Sequence, residues 1–395
     1  MDGRRRWLLA IVCGVAVAGV YAAQPVLIPM GAALGVPAQH LGWIVSVGQV
    51  GYLAGLVLLV PLGDVVASRR RLIAVHLAIT AAGLGLTAAA SAAWMAFAGL
   101  ALAGMFAVVV QTTVAYAAST SPPAERGRTI GVVTSGVVAG ILGARVVTGV
   151  LAEQFGWRSV YALLGVVSLG LAALVVRALP DERRARTAGR RQAVAALGNR
   201  LFLTRGLIAF FLFASFGTLW SGLSLPLAGE PWRLSESQIG LFGLAGLVGA
   251  LGAARAGRWA DAGRAGPVSG LALALLIASW AATAQLSWSL GLLVAGVVLL
   301  DFAVQVVHVS NQHALTAAWP ERAGGVIGGY MVFYSLGSAL GAVATTSVFA
   351  AHGWTGSSLL GAGFAACALL VWAGDRRRPA AFAPAGRDRA ARRER

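Results

Sequence analysis

LVPLGDVVASRRRL, residues 59–72, places one aspartate and three consecutive arginines directly behind an apolar run that begins near Trp43, and a similar turn returns as GRWADAGRAG at 257–266. Turns of this kind read as short charged loops between apolar spans. Working outward from them, the 395 residues resolve into twelve apolar stretches, near 7–30, 43–64, 72–90, 93–118, 130–151, 160–178, 203–226, 239–256, 267–286, 289–312, 326–350 and 357–373. Each has about the 18 to 25 residues needed to cross a hydrocarbon core of roughly 30 Å. A composition of 58% hydrophobic and 11% charged residues, with a mean hydropathy of +0.78, fits a membrane protein and no soluble class.

All 31 basic residues are Arg. With the N-terminus inside, 28 of them fall on the cytoplasmic side and only Arg158 and Arg233 outside, while Arg145 lies within a span. That bias places both termini in the cytoplasm of a multi-pass plasma-membrane protein of the bacterial inner-membrane type. The formal charge of +17 then reflects topology and attraction to anionic lipid, and the expectation is no nucleic-acid partner. Most Trp residues, among them Trp7, Trp43, Trp94 and Trp288, fall at expected span ends, where an amphipathic ring prefers the headgroup layer. Cys13 and Cys367 lie within spans and read as packing residues.

Landmarks recur at a near-constant offset. Asp64 and Asp261, Gly156-Trp157 and Gly353-Trp354, and Pro29 and Pro226 are each 197 apart, and Glu125-Arg126 and Glu321-Arg322 are 196 apart. The chain therefore reads as two related six-helix halves, 1–179 and 203–374, joined by an Arg-rich cytoplasmic linker at 180–202 and followed by a basic tail at 375–395 expected to be disordered. The expected fold class is an all-α membrane protein of twelve transmembrane helices in two pseudo-symmetric bundles.

The charged turns resemble the loop between helices 2 and 3 of the major facilitator superfamily, G-x-L-A-D-R-x-G-R-R. Leu62 and Asp64 match it, Gly63 replaces Ala, and Arg69, Arg70 and Arg71 arrive one residue late; in the second copy Gly257, Ala260, Asp261, Gly263 and Arg264 are in register. The stretch 131–149 resembles the helix 5 signature of the drug:proton antiporter branch, with Gly131, Gly140 and Gly149 matching and Arg145 standing where Pro is expected. Leu100 occupies the place of that branch's helix 4 arginine. The resemblance implies a secondary transporter working by alternating access and favours proton-coupled efflux of a small organic compound. It also implies that Asp64, Arg69, Arg70, Arg71, Asp261 and Arg264 form a latch that docks the halves in one state only. A carboxylate at a helix C-terminus, as expected for Asp64, is disfavoured by about 0.3–1 kcal/mol and needs such partners.

Two formal charges lie deep in spans, Arg145 and Asp301. Both are costly in lipid and should face protein or a water-filled cavity. Asp301, Gln305, His308 and Gln312 share one face of helix 10, the candidate cavity lining. Two readings stay open for Asp301: a proton-coupling carboxylate with His308 as relay, or a static group, either ion-paired with Arg145 or bound within its own polar network. Further cavity candidates are Tyr21, Gln24, Gln49, Gln111, Trp220, Tyr330 and Tyr334. His308 and His313 are five apart and poorly placed for a shared metal, so no metal and no cofactor is expected.

The absence of Lys excludes a P-loop and a retinal Schiff base, and no stretch could hold a nucleotide-binding domain. The drive is then an ion gradient, with protons and the small-molecule substrate as partners. Nothing in the sequence sets an oligomeric state, and a monomer suffices. The alternative within the class is a sugar or metabolite uniporter or symporter; the remote ones are a non-transporting sensor and an intramembrane enzyme, for which no G-x-S-x-G is present.

Overall fold

The computed structural model describes residues 2–60, 66, 68–122, 125–181, 199–252, 265–319 and 323–376. Ten helical runs are long and apolar enough to cross a membrane. They comprise α1 (Gly3–Leu34), α2 (Ala38–Leu58), α3 (Arg69–Ala88), α4 (Ala93–Thr120), α5 (Arg126–Phe155), α6 (Trp157–Ala178), α7 (Arg200–Ala228), α9 (Gly266–Ser287), α10 (Leu290–Ala318) and a run of 52 residues, Gly325–Arg376. The last run folds back at Gly353 into α11 (325–352) and α12 (354–376). The shorter apolar helix Glu236–Leu251, α8, completes twelve spans.

Several starts are written locally. Asp2, Ser68, Asn199 and Ser289 each accept a hydrogen bond from an amide in the first turn of the helix that follows. Several boundaries differ from expectation. Pro29 does not close α1; the helix tightens into a 3-10 turn at Gln24–Val26, resumes over Leu27–Leu34 and ends at left-handed Gly35. Pro25 removes an amide at the tightened turn, whereas Pro29 falls in the first turn of the resumed helix, where its missing N–H costs nothing. Helix α2 starts earlier than Trp43, because Pro37 is extended and leads directly into a turn at Ala38–His40, and it stops at Leu58 rather than at Asp64.

The repeat is visible in the backbone. Gly156, between α5 and α6, has φ 77° and ψ 159°, and Gly353, between α11 and α12, has φ 62° and ψ −161°. This region is essentially restricted to glycine. The same reversal thus occurs at the two positions 197 residues apart.

Helices α1–α6 and α7–α12 form two bundles. Between them α2 packs on α11 and α5 on α8, through glycines that let backbones touch: a Cβ at Gly42 would come within 3.0 Å of the Ala342 carbonyl oxygen, and one at Gly149 equally close to that of Glu236. The hydrogen bonds between bundles lie at mid-height or toward the end away from the chain termini. Gly42 N–H donates to Thr346 Oγ1 at 3.1 Å, Ser46 Oγ to the Ala339 carbonyl at 2.7 Å, and Thr346 and Ser347 hydroxyls to the Gln39 carbonyl at 3.2 Å.

At the termini end three ion pairs join elements of the same bundle. Arg6 pairs with Glu125, Arg70 with Asp181 at 3.4 Å, and Arg200 with Asp375 at 3.3 Å. Thr134 and Ser135 of α5 are exposed there.

Candidate functional site

The tightened turn of α1 carries Gln24 to the centre of the molecule. Its Oε1 accepts from both Nε (3.1 Å) and Nη2 (2.8 Å) of Arg145, while Nη1 donates to the Ile141 carbonyl at 3.0 Å. The guanidinium stacks on the Trp220 ring of the other bundle, 3.7 Å from its centroid, with Tyr21 and Phe216 at 5.8 and 6.0 Å. Arg145 is 2% exposed, so protein groups replace its solvation: an amide, a carbonyl and aromatic faces.

Asp301 is 1% exposed and lies within the field of Arg145, yet the two form no ion pair. Its Oδ2 and the Trp220 Nε1–H are neighbours, but their geometry falls short of a well-formed hydrogen bond. Both side chains converge on Gly246 of α8, where a Cβ would lie 2.8 Å from Trp220 and 3.2 Å from Asp301 Oδ2. Glycines 240 and 243 of the same helix sit against the backbone of Arg145 and Leu142. The glycine run of α8 therefore forms one wall of the site. In the sequence the run 240–252 reads as a stripe that lets helices approach closely and slide, because a glycine carries no chemistry to signal the carboxylate it accommodates.

A second polar cluster lies nearer the termini end. Gln312 Nε2 approaches His308 Nε2 at 3.1 Å and Tyr330 OH approaches His308 Nδ1 at 2.9 Å. With the amide donating, the imidazole proton resides on Nδ1 and Tyr330 accepts it. The two clusters are joined by the Tyr21 and Tyr334 hydroxyls, which hydrogen-bond across the bundle interface. An aromatic ladder runs alongside: Phe213 lies 5.1 Å from His308 and 3.9 Å from Tyr334, and Phe216 lies 5.8 Å from Phe213 and 6.3 Å from Trp220. These phenylalanines were not legible as site residues, since Phe on an apolar helix has no distinguishing signal.

Of the other candidates, Gln49 is buried with neither amide atom partnered by protein. Gln111 donates to Tyr52 OH at 2.7 Å, and Gln305 is half-buried on the same face of α10 as Asp301 and His308. In the helix 5 signature, Gly140 abuts Gly14 of α1, Gly149 abuts α8, and Gly131 has open space around it. Asp64, Asp261 and Arg264 lie outside the described residues. Arg69 donates to the Ala115 carbonyl (3.5 Å) and Ser119 Oγ (3.4 Å), Arg70 to the Val176 and Leu179 carbonyls (3.3 and 3.1 Å), and Arg71 is exposed. In this conformation Arg69 engages α4 and Arg70 the end of α6, both in their own bundle. Among the described residues no group of His, Cys, Asp and Glu could hold a metal ion.

The sequence profile of the Major Facilitator Superfamily matches residues 9–225 and 205–394. An uncharacterized transporter, YgaY, of Escherichia coli O157:H7 is 38% identical over 370 residues, 92% of this chain and 94% of its own length. The multi-drug resistance efflux pump PmrA of Streptococcus pneumoniae is 36% identical over 114 residues, 29% of this chain and 28% of its own. Among solved structures, a bacterial homolog of the human lysosomal transporter Spinster, in an inward-facing and occupied conformation, superposes with a TM-score of 0.77 at 15% identity, covering 94% of this chain and 96% of that one.

Proposed function

The chain belongs to the major facilitator superfamily, a multi-pass membrane transporter of a small molecule, and within that family we propose a proton-coupled exporter of a small organic compound working by alternating access. The observation that carries the reading is the state of Asp301. It is a buried carboxylate with no ion pair and no well-formed hydrogen bond to Oδ2, beside an arginine three of whose five N–H groups are turned to Gln24 and Ile141. A titratable carboxylate held in a membrane interior without a bonded ion pair is costly, and a proton arriving and leaving is the simplest task that accounts for it.

In this proposal the bundles part at the termini end, and both the termini and the cleft so formed face the cytoplasm of an inner membrane, in line with the arginine distribution. His308, with Tyr330 and Gln312, stands on the route between the cleft and Asp301, and the Tyr21–Tyr334 contact separates the two levels. Arg69, Arg70 and Arg71, with Asp64, Asp261 and Arg264, would dock the cytoplasmic ends in the opposite state. The export direction rests on the helix 5 signature and on the partial likeness to PmrA.

The test is substrate-induced proton movement in proteoliposomes, screened with cationic dyes, antibiotics and pentoses. Proton flux that appears with one compound and vanishes in Asp301→Asn supports antiport. Transport without proton flux favours a second reading, a sugar or metabolite uniporter or symporter, which the unpartnered amide of Gln49 and the aromatic lining also suit.

A further inference from the structure

Helix α8 begins with a reciprocal cap of its own. Ser235 N–H donates to Gln238 Oε1 at 2.9 Å, and Gln238 N–H donates to Ser235 Oγ at 3.4 Å. The amide of Ser237, also in the first turn, has no acceptor within its helix. It donates instead to Glu153 Oε2 of α5, in the other bundle, at 3.1 Å, and the Ser235 hydroxyl donates to the same oxygen at 2.9 Å. A carboxylate from one bundle thus sits at the positive end of a helix of the other.

The contact depends on close approach. One turn before Glu153, Gly149 brings α5 against the Glu236 carbonyl with no room for a Cβ. Separating the bundles at this end would remove the carboxylate from both donors at once and return the Ser237 amide to water. Glu153 therefore interacts differently with the two states of a rocking transporter, which is the requirement for biasing their populations.

We propose that Glu153 is a positioning residue of the transport cycle, a latch that holds the end away from the termini closed by capping α8 from across the interface. The inference rests on the alternating-access reading of the cleft and is independent of substrate and coupling ion.

The test uses the full chain in proteoliposomes with Cys13→Ala and Cys367→Ala, and measures spin-label distances for two pairs at exposed positions. Phe155→Cys with Trp288→Cys reports the far end, and Arg128→Cys with Leu203→Cys reports the termini end. Glu153→Ala is expected to lengthen the far-end distance and shorten the termini-end distance, with Glu153→Gln, which keeps an acceptor, closer to the parent. A Gln variant as displaced as the Ala variant would assign the effect to the charge and still support the proposal. Unchanged distances in Glu153→Ala, or broadening of both pairs without opposite shifts, would overturn it. Gly42→Ala serves as the separate control: if it too produces no opposed shifts, the alternating-access reading itself fails.

Discussion

The Arg145 guanidinium of α5 lies 3.7 Å from the centre of the Trp220 ring of α7, so the deepest positive charge of one bundle is solvated by an aromatic face of the other. A desolvated contact of this type contributes about 2 kcal/mol. Trp220→Leu retains apolar bulk and removes the quadrupole. It is expected to lower the thermal midpoint of the purified protein by a few degrees, more than the same change at exposed Trp94, and equal midpoints would show that the stacking is energetically idle.

Asp301→Asn keeps the size of the side chain and removes the titrating group. Gradient-driven transport is expected to be lost while substrate exchange across the membrane without a gradient is retained. Driven transport at the parent rate in this variant would return Asp301 to a structural role.

The seam between α2 and α11 has no space for one methyl group. At Gly42 the obstructing atom is the Ala342 backbone carbonyl, which cannot rotate away as a side chain can. Overpacking of this sort costs about 1–3 kcal/mol, and here the cost falls on the conformation with the far end closed. Gly42→Ala is expected to reduce turnover at least tenfold with little change in the amount of folded protein. Gly131→Ala, with nothing within 4 Å, is expected to be silent in the same assay.

Gly156 and Gly353 should both resist substitution although neither has a steric neighbour. Their φ of 77° and 62° with ψ near 180° is a conformation that costs other residues on the order of 1–3 kcal/mol each. Gly156→Ala and Gly353→Ala are expected to lower thermal stability by similar amounts, measured on the purified variants, and the double substitution by about their sum.

The twelve spans and the duplicated reversal were legible because a bilayer imposes a simple rule: about 20 apolar residues per crossing, with arginine kept to one side. Helix limits from the structure fall within a few residues of those read from hydropathy, and the 197-residue repeat returned as two glycines with one backbone geometry. Buried polar side chains were equally conspicuous, because each is costly in lipid; Arg145, Asp301, Gln24 and His308 needed no coordinates to be singled out. What they touch did need them. Sequence alone left Arg145 and Asp301 as a possible ion pair, and the turn at Pro25 decided otherwise by delivering Gln24 to the guanidinium. The glycine wall of α8 and the contact of Glu153 with the start of that helix depend on how two bundles lean on each other. Hydropathy is nearly uniform around these helices, so periodicity cannot state which face meets which; only the close approach of backbones at Gly42, Gly149 and Gly240 fixes it.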